Sequence, residues 1–139
     1  MSEHERTRRE REAIVRRHME AENEHDYEAV IATFAHPRYE IIALDRVHDG
    51  EVAVREYFRE SRSVFPDQRN ELIALHHADD AVIAEFWLLG THRGPLPGLE
   101  PTGREFRCRM AAFFLFDELK LVCERVYFDS ATILRQIAA

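Results

Sequence analysis

Two carboxylates set inside apolar runs, Glu124 in residues 121–128 and Glu40 in residues 39–44, are the groups whose surroundings could most alter their chemistry. A carboxyl group walled in by apolar side chains has a raised pKa and can serve as general acid or base near neutral pH. Two such groups facing one another can hold a single proton between them. Each also has a plainer reading. Glu124 could form an ion pair with Arg125 or with an arginine on a neighbouring strand, and Glu40 could be a solvated strand-end residue. His92, in Gly90-Thr91-His92, adds an imidazole that titrates near neutrality and could hydrogen-bond a ligand at a cavity mouth. Its alternative is to fix the loop 94–103 through a backbone carbonyl.

Other reactive side chains carry less. Asp129 directly precedes Ser130-Ala131-Thr132-Ile133, where its oxygen can accept the first free N–H groups of a helix. His76-His77 followed by Asp79-Asp80 does not make a metal site, because adjacent strand residues point to opposite faces and only one histidine can join one aspartate. No metal and no cofactor is called for. Cys108 and Cys123 each sit in an apolar run without a CxxC neighbour and read as buried free thiols. His48 reads as a loop histidine that could close one side of a pocket.

These residues need elements to position them. Ile14, Val15, His18 and Met19 recur at helical spacing and predict an amphipathic helix ending near Asn23, preceded by a charged tip, residues 1–12, that can fray. Asp26 caps a short second helix with Tyr27, Val30, Ile31 and Phe34 on one face, and Pro37 stops it. Residues 39–44 read as a strand. Asp49-Gly50 then turns into a third helix whose Val54, Tyr57 and Phe58 form a buried stripe. Beyond Pro66-Asp67 come four long strands, 71–77, 82–92, 104–116 and 121–128, and a short last helix carrying Ile133, Leu134 and Ile137. Helices first and hairpin-linked strands afterwards predict an α+β fold, a curved antiparallel sheet wrapped around the helices to leave a cone with a pocket inside.

A chain of 139 residues buries roughly 70% of its unfolded surface, enough for one domain over residues 13–139. A net charge of -7 argues against nonspecific binding of nucleic acid, which needs a basic footprint. No apolar stretch approaches membrane-spanning length and the charged N-terminus has no signal-sequence core, so a cytoplasmic location and no membrane partner are expected.

The order α-α-β-α-β-β-β-β-α, with Gly90-Thr91-His92 ending one long strand and Pro101-Thr102-Gly103-Arg104 opening the next, is similar to the SnoaL-like polyketide cyclases of the nuclear-transport-factor-like superfamily. The segment Glu124-Arg125-Val126-Tyr127-Phe128-Asp129 and the helix after it resemble the same family and the limonene-epoxide hydrolases. The resemblance implies that Glu40 and Ile42, Phe86 and Leu88, Cys108 and Met110, and Glu124, Val126 and Phe128 face the pocket. For the last two strands this requires a hairpin that pairs residues of equal parity, as a three-residue turn does. A two-residue turn puts Arg125 and Tyr127 inside instead. The hydrolase's polar catalytic positions fall here on Phe86, Leu88, Glu40 and Ile42, and the acid shared with cyclases falls on Val126.

The resemblance implies a homodimer that binds a small apolar organic ligand. If the chain is an enzyme, the chemistry is cofactor-independent cyclisation or isomerisation of a carbonyl compound. Glu124 would be the acid or base, Glu40 or His92 would polarise the substrate, and Ile42, Tyr57, Phe86, Leu88, Met110, Val126 and Phe128 would shape the cavity. The alternative is a noncatalytic binding or accessory protein, favoured by Val126 in place of the superfamily's acid. Arg107 and Arg109 alternate outward beside Glu85 as an outer-face charge ladder.

Overall fold

Ser2 opens the first helix, α1 (Glu3–Asn23), its hydroxyl accepting the Glu5 amide N–H at 3.1 Å. Residues 1–139 are all described by the structure, a computed structural model. Helix α1 runs through most of the charged N-terminal residues, and Arg11 anchors them by donating to the carbonyl oxygens of Asp79 and Glu118, each at 2.8 Å. Its inner stripe is Val15, His18 and Met19, all buried. Asp26 caps α2 (Tyr27–Ala32) through the Ala29 N–H. Strand β1 (Arg38–Ile41) ends one residue before Ile42, where a 3-10 turn, Ile42–Leu44, leads into the short strand β2 (Arg46–Asp49). Helix α3 (Glu51–Val64) buries Val54 and Phe58.

Strands β3 (Arg69–Ala78), β4 (Ala81–Thr91), β5 (Glu105–Asp117) and β6 (Lys120–Tyr127) follow as a meander, and the Asp129-capped helix α4 (Ser130–Ala138) closes the chain. The sheet order is β2-β1-β6-β5-β4-β3. All neighbours are antiparallel except β1 and β6, which run parallel. The expected antiparallel sheet is therefore a mixed one, curved and unclosed, because the meander returns to lie alongside β1 in the same direction.

Register decides what faces inward, and the last hairpin reaches the equal-parity pairing by an unexpected route. Its turn is the two-residue one, Glu118-Leu119 between paired Asp117 and Lys120, with Glu118 at φ +55. Alone, that turn would turn Arg125 and Tyr127 inward. A bulge intervenes: Phe116 pairs with Leu121 but Leu115 pairs with Cys123, leaving Val122 as the extra residue. From there Phe114 opposes Glu124 and Ala112 opposes Val126, and Glu124 lies on the concave face. The two free thiols are both buried.

Candidate functional site

Between the concave face and the helices lies a cavity of about 170 Å³. Phe86, Leu88, Phe106, Met110, Val126 and Phe128 make its sheet wall, and Tyr57, Ser61, Arg62 and Phe65 come from α3 and its end. The motifs at the rim hold that end of α3 in place. Thr91 donates its N–H and hydroxyl to the Asp67 carboxylate at 2.7 and 2.6 Å, while the N–H groups of Arg93 and Gly94 reach the Val64 carbonyl. Gly94 has to be glycine because a Cβ would run into the Ser63 carbonyl.

At one side of the cavity α1, β1 and β6 converge on a buried polar cluster. His18, fully buried, donates from Nδ1 to the Thr33 hydroxyl oxygen at 2.8 Å, since the Thr33 hydrogen is already spent on the Val30 carbonyl at 2.6 Å. That leaves Nε2 facing Glu124 Oε1 at 2.8 Å and the Tyr39 oxygen at 3.1 Å, with Glu22 Oε1 3.5 Å away. Tyr39 in turn donates to Glu22 Oε2 at 3.1 Å. Glu22, Tyr39 and Glu124 line the cavity, and His18 stands behind them against the rings of Phe34 and Phe114.

Charge is distributed unevenly in this cluster. Burial disfavours the imidazolium of His18, but the carboxylates of Glu22 and Glu124 outweigh it and raise the histidine to about 10. Burial and then the charge of Glu22 push Glu124 up to about 7 against the pull of its His18 hydrogen bond. Burial works against the Glu22 carboxylate too, yet the His18 charge wins and its pKa falls below the ordinary range. Glu22 is therefore the fixed anion, His18 the fixed cation, and Glu124 the member that exchanges its proton near neutral pH. His18 Nε2 and one oxygen each from Glu22 and Glu124 lie within 4.8 Å of one another, a donor set that a divalent cation could also use. In the geometry at hand Nε2 is committed to Glu124 and Tyr39 by hydrogen bonds.

The sequence profile of the SnoaL-like polyketide cyclases matches residues 12–137. This chain belongs to that family. A search among curated proteins finds no significant match. Among solved structures, the SnoaL-like fold here is similar to IdmH of Streptomyces antibioticus, described as a candidate polyketide cyclase (20% identity, TM-score 0.79, covering 93% of this chain and 99% of the other). It is also similar to AclR of Streptomyces galilaeus, described as a candidate hydroxylase (19%, 0.78, 93% and 85%). A third is an NTF2-like protein of Burkholderia thailandensis (26%, 0.74, 89% and 94%). Different reactions are attached to similar folds, so the site has to be read from its own residues.

Within this SnoaL-like cone, Glu124, Tyr57, Phe86, Leu88, Met110, Val126 and Phe128 all line the cavity. Four expected residues do not, one of them Cys108, which is buried on β5 without reaching the cavity. Glu40 points away from the cavity, accepting from Arg125 Nε at 2.6 Å and Arg38 Nε at 3.0 Å. Parallel pairing aligns Tyr39 with Glu124, so with Glu124 inward it is Tyr39 and Ile41 that face the core, and Glu40 goes outside with Arg125. Ile42 lies beyond the end of β1 and is 44% exposed; Ile41 takes the cavity position. His92 is fully buried under the loop, where Nδ1 accepts the Thr102 N–H at 3.2 Å, a backbone amide in place of the expected carbonyl. Asp129 caps α4 through the Ala131 N–H. His76 and His77 diverge to Glu85 and Glu12, and Arg109 reaches Glu85 at 3.4 Å on the outer face.

His18, Glu22, Tyr39 and Arg62 were missed as site residues. A signal was present for three of them. His18 and Glu22 are spaced i, i+4 with His18 inside an apolar stripe, and Arg62 continues the Val54, Phe58 stripe of α3 by the same step. Titratable groups on buried stripes are the exception that marks a site.

Proposed function

We propose that the protein catalyses cofactor-independent proton transfer on a small, largely apolar carbonyl compound, cyclising or isomerising it. The observation that carries this reading is the Glu124 carboxyl group, which opens on an apolar cavity while held at 2.8 Å by a buried histidine. Family membership and the similarity to IdmH support the same class of chemistry. Glu124 takes the proton from the carbon next to the carbonyl, and its two bonding electrons pass into the enolate. Tyr57, on the cavity wall, is the group we assign to the enolate oxygen. In an isomerisation Glu124 returns the proton to another carbon; in a cyclisation the enolate carbon attacks a second carbonyl and the proton goes to the new alkoxide. His18 holds Glu124 in position and supplies the positive charge that lets it ionise, which makes it a positioning residue.

A second reading, a noncatalytic binding protein, is favoured by Val126 at the position of the superfamily's acid. The two separate by deuterium exchange. Aryl ketones and 1,3-dicarbonyl compounds are incubated with the protein in heavy water and exchange at the carbon next to the carbonyl is followed by NMR. Catalysed exchange that Glu124→Gln removes supports the enzyme. Compounds that raise the melting temperature without any exchange above buffer overturn it in favour of the binding protein.

We infer a homodimer formed through the convex face, where Ile42 and Tyr127 are exposed around an apolar hollow that also takes in Ile83 and Phe113. Sedimentation measures this directly. No helix is long and apolar enough to cross a membrane, and we read the compartment as the cytoplasm, which fractionation would test.

A further inference from the structure

Arg62 sits in the wall of the cavity without an anion. It follows Phe58 by one turn on the buried stripe of α3, and its guanidinium packs over Phe58, Tyr27 and Tyr57 at 5.3, 5.6 and 6.0 Å from their ring centres. Its one well-formed hydrogen bond within the protein runs from Nη1 to the Ser61 hydroxyl at 2.6 Å, with the Tyr27 and Tyr57 hydroxyls near enough to interact weakly with the guanidinium. Its Nε is buried with no acceptor. None of the molecule's ion pairs includes it, so no carboxylate comes within 4.0 Å. Glu22 is the carboxylate whose charge Arg62 feels most, but its oxygens are taken by Tyr39 and His18.

A guanidinium offers five donors in a fixed fork, and burying them unmatched is costly unless a partner arrives. A second observation points the same way. Gln68, buried on the same cavity's wall, has a carboxamide that makes no hydrogen bond within the protein, its bond from His25 being to the backbone carbonyl. We propose that Arg62, together with Gln68, forms an anion receptor in the cavity, and that the ligand is a small carbonyl compound carrying one carboxylate.

The class of anion follows from the surroundings. A planar carboxylate matches the guanidinium fork through two parallel hydrogen bonds. A phosphate dianion does not suit the site, because Arg62 lies in the last turn of α3, where the helix dipole is negative, and Glu22 and Glu124 share the cavity. The charges limit the ligand to one negative charge: the His18 cation balances Glu22, and Arg62 is the single cation left to face both the ligand and Glu124. The carbonyl half of this ligand rests on the proton-transfer reading, whereas the carboxylate half rests on Arg62 and Gln68.

The test is calorimetric binding at pH 7.5 of three matched pairs: 3-benzoylpropionate, 3-phenylpropionate and phenylacetate, each against its methyl ester. At least one acid is expected to bind roughly tenfold tighter than its ester, the size of one charge-assisted contact. Arg62→Gln should erase that preference and Arg62→Lys should keep part of it. If no acid outbinds its ester, or if Arg62→Gln retains the preference, the receptor is overturned. Should Arg62→Gln not fold, the wild-type pairs and Arg62→Lys decide by themselves. Glu124→Gln separates the two proposals: an acid preference that persists there, with or without deuterium exchange in the wild type, supports the receptor whatever becomes of the catalytic reading.

Discussion

The proton held between α1 and β6 should make the protein lose stability steadily as the solution becomes alkaline. In the folded state His18 is raised from 6.5 to about 10, burial being outweighed by the charges of Glu22 and Glu124. The folded protein therefore keeps a proton that the unfolded chain releases. Stability from this source is complete below pH 6.5 and is lost as pH climbs through about 10, with a slope of about 1.4 kcal/mol per pH unit in between. Glu124, raised from 4.5 to about 7, acts with the same sign in a lower window. Between pH 7 and 9 the pair thus loses about 3 kcal/mol. The assay is urea denaturation at pH 7, 8 and 9 of the wild type and the double variant His18→Gln, Glu124→Gln, which leaves no proton to share and keeps the side-chain volumes similar. Groups outside the cluster cancel in the difference. That difference should shrink by about 1.4 kcal/mol per pH unit; parallel curves would mean that the folded cluster holds no extra proton and would refute the reasoning.

Three further outcomes follow from the same geometry. Glu40→Gln, which loses pairs with Arg38 and Arg125 at the sheet surface, should cost on the order of 1 kcal/mol or less in denaturation and leave deuterium exchange unaltered; loss of exchange would return Glu40 to the site. Asp129→Ala should cost about 1 kcal/mol through the lost cap, measured by thermal unfolding, with ligand binding unchanged. Chelator should alter neither the melting temperature nor deuterium exchange, because His18 and Glu124 are already satisfied by a shared proton; activity that disappears with chelator and returns with a divalent cation would turn the cluster of His18, Glu22 and Glu124 into a metal site.

Much of this molecule was legible along the chain. Helical stripes and strand runs predicted most elements within a few residues, because their periodicity is a local property, but α1 begins at Glu3 inside the expected charged tip and β2 was not foreseen. The cone followed from the order of the elements and from family resemblance. Pairing registers were not legible, and they governed the site. Val122 looks like any strand residue, yet its bulge undoes the parity of a two-residue turn and keeps Glu124 inside. In β1 the alternation Tyr39, Glu40, Ile41, Ile42 is compatible with either face. The choice is made by parallel pairing with β6, which puts the aromatic ring among Phe34, Tyr57 and Phe58 and the carboxylate beside two arginines.

What the sequence by itself determined is the set of elements, the apolar character of the cavity wall and the presence of a carboxylate, Glu124, on the last strand. Only the tertiary structure decided which groups meet it. His18 lies 106 residues away and Tyr39 and Arg62 come from elements of their own. Hydrogen bonds and charge effects act across a few ångströms of space, while sequence patterns report neighbours along the chain. A proton-sharing cluster and an unmatched arginine assembled from four elements therefore become visible only once the sheet has curved around the helices.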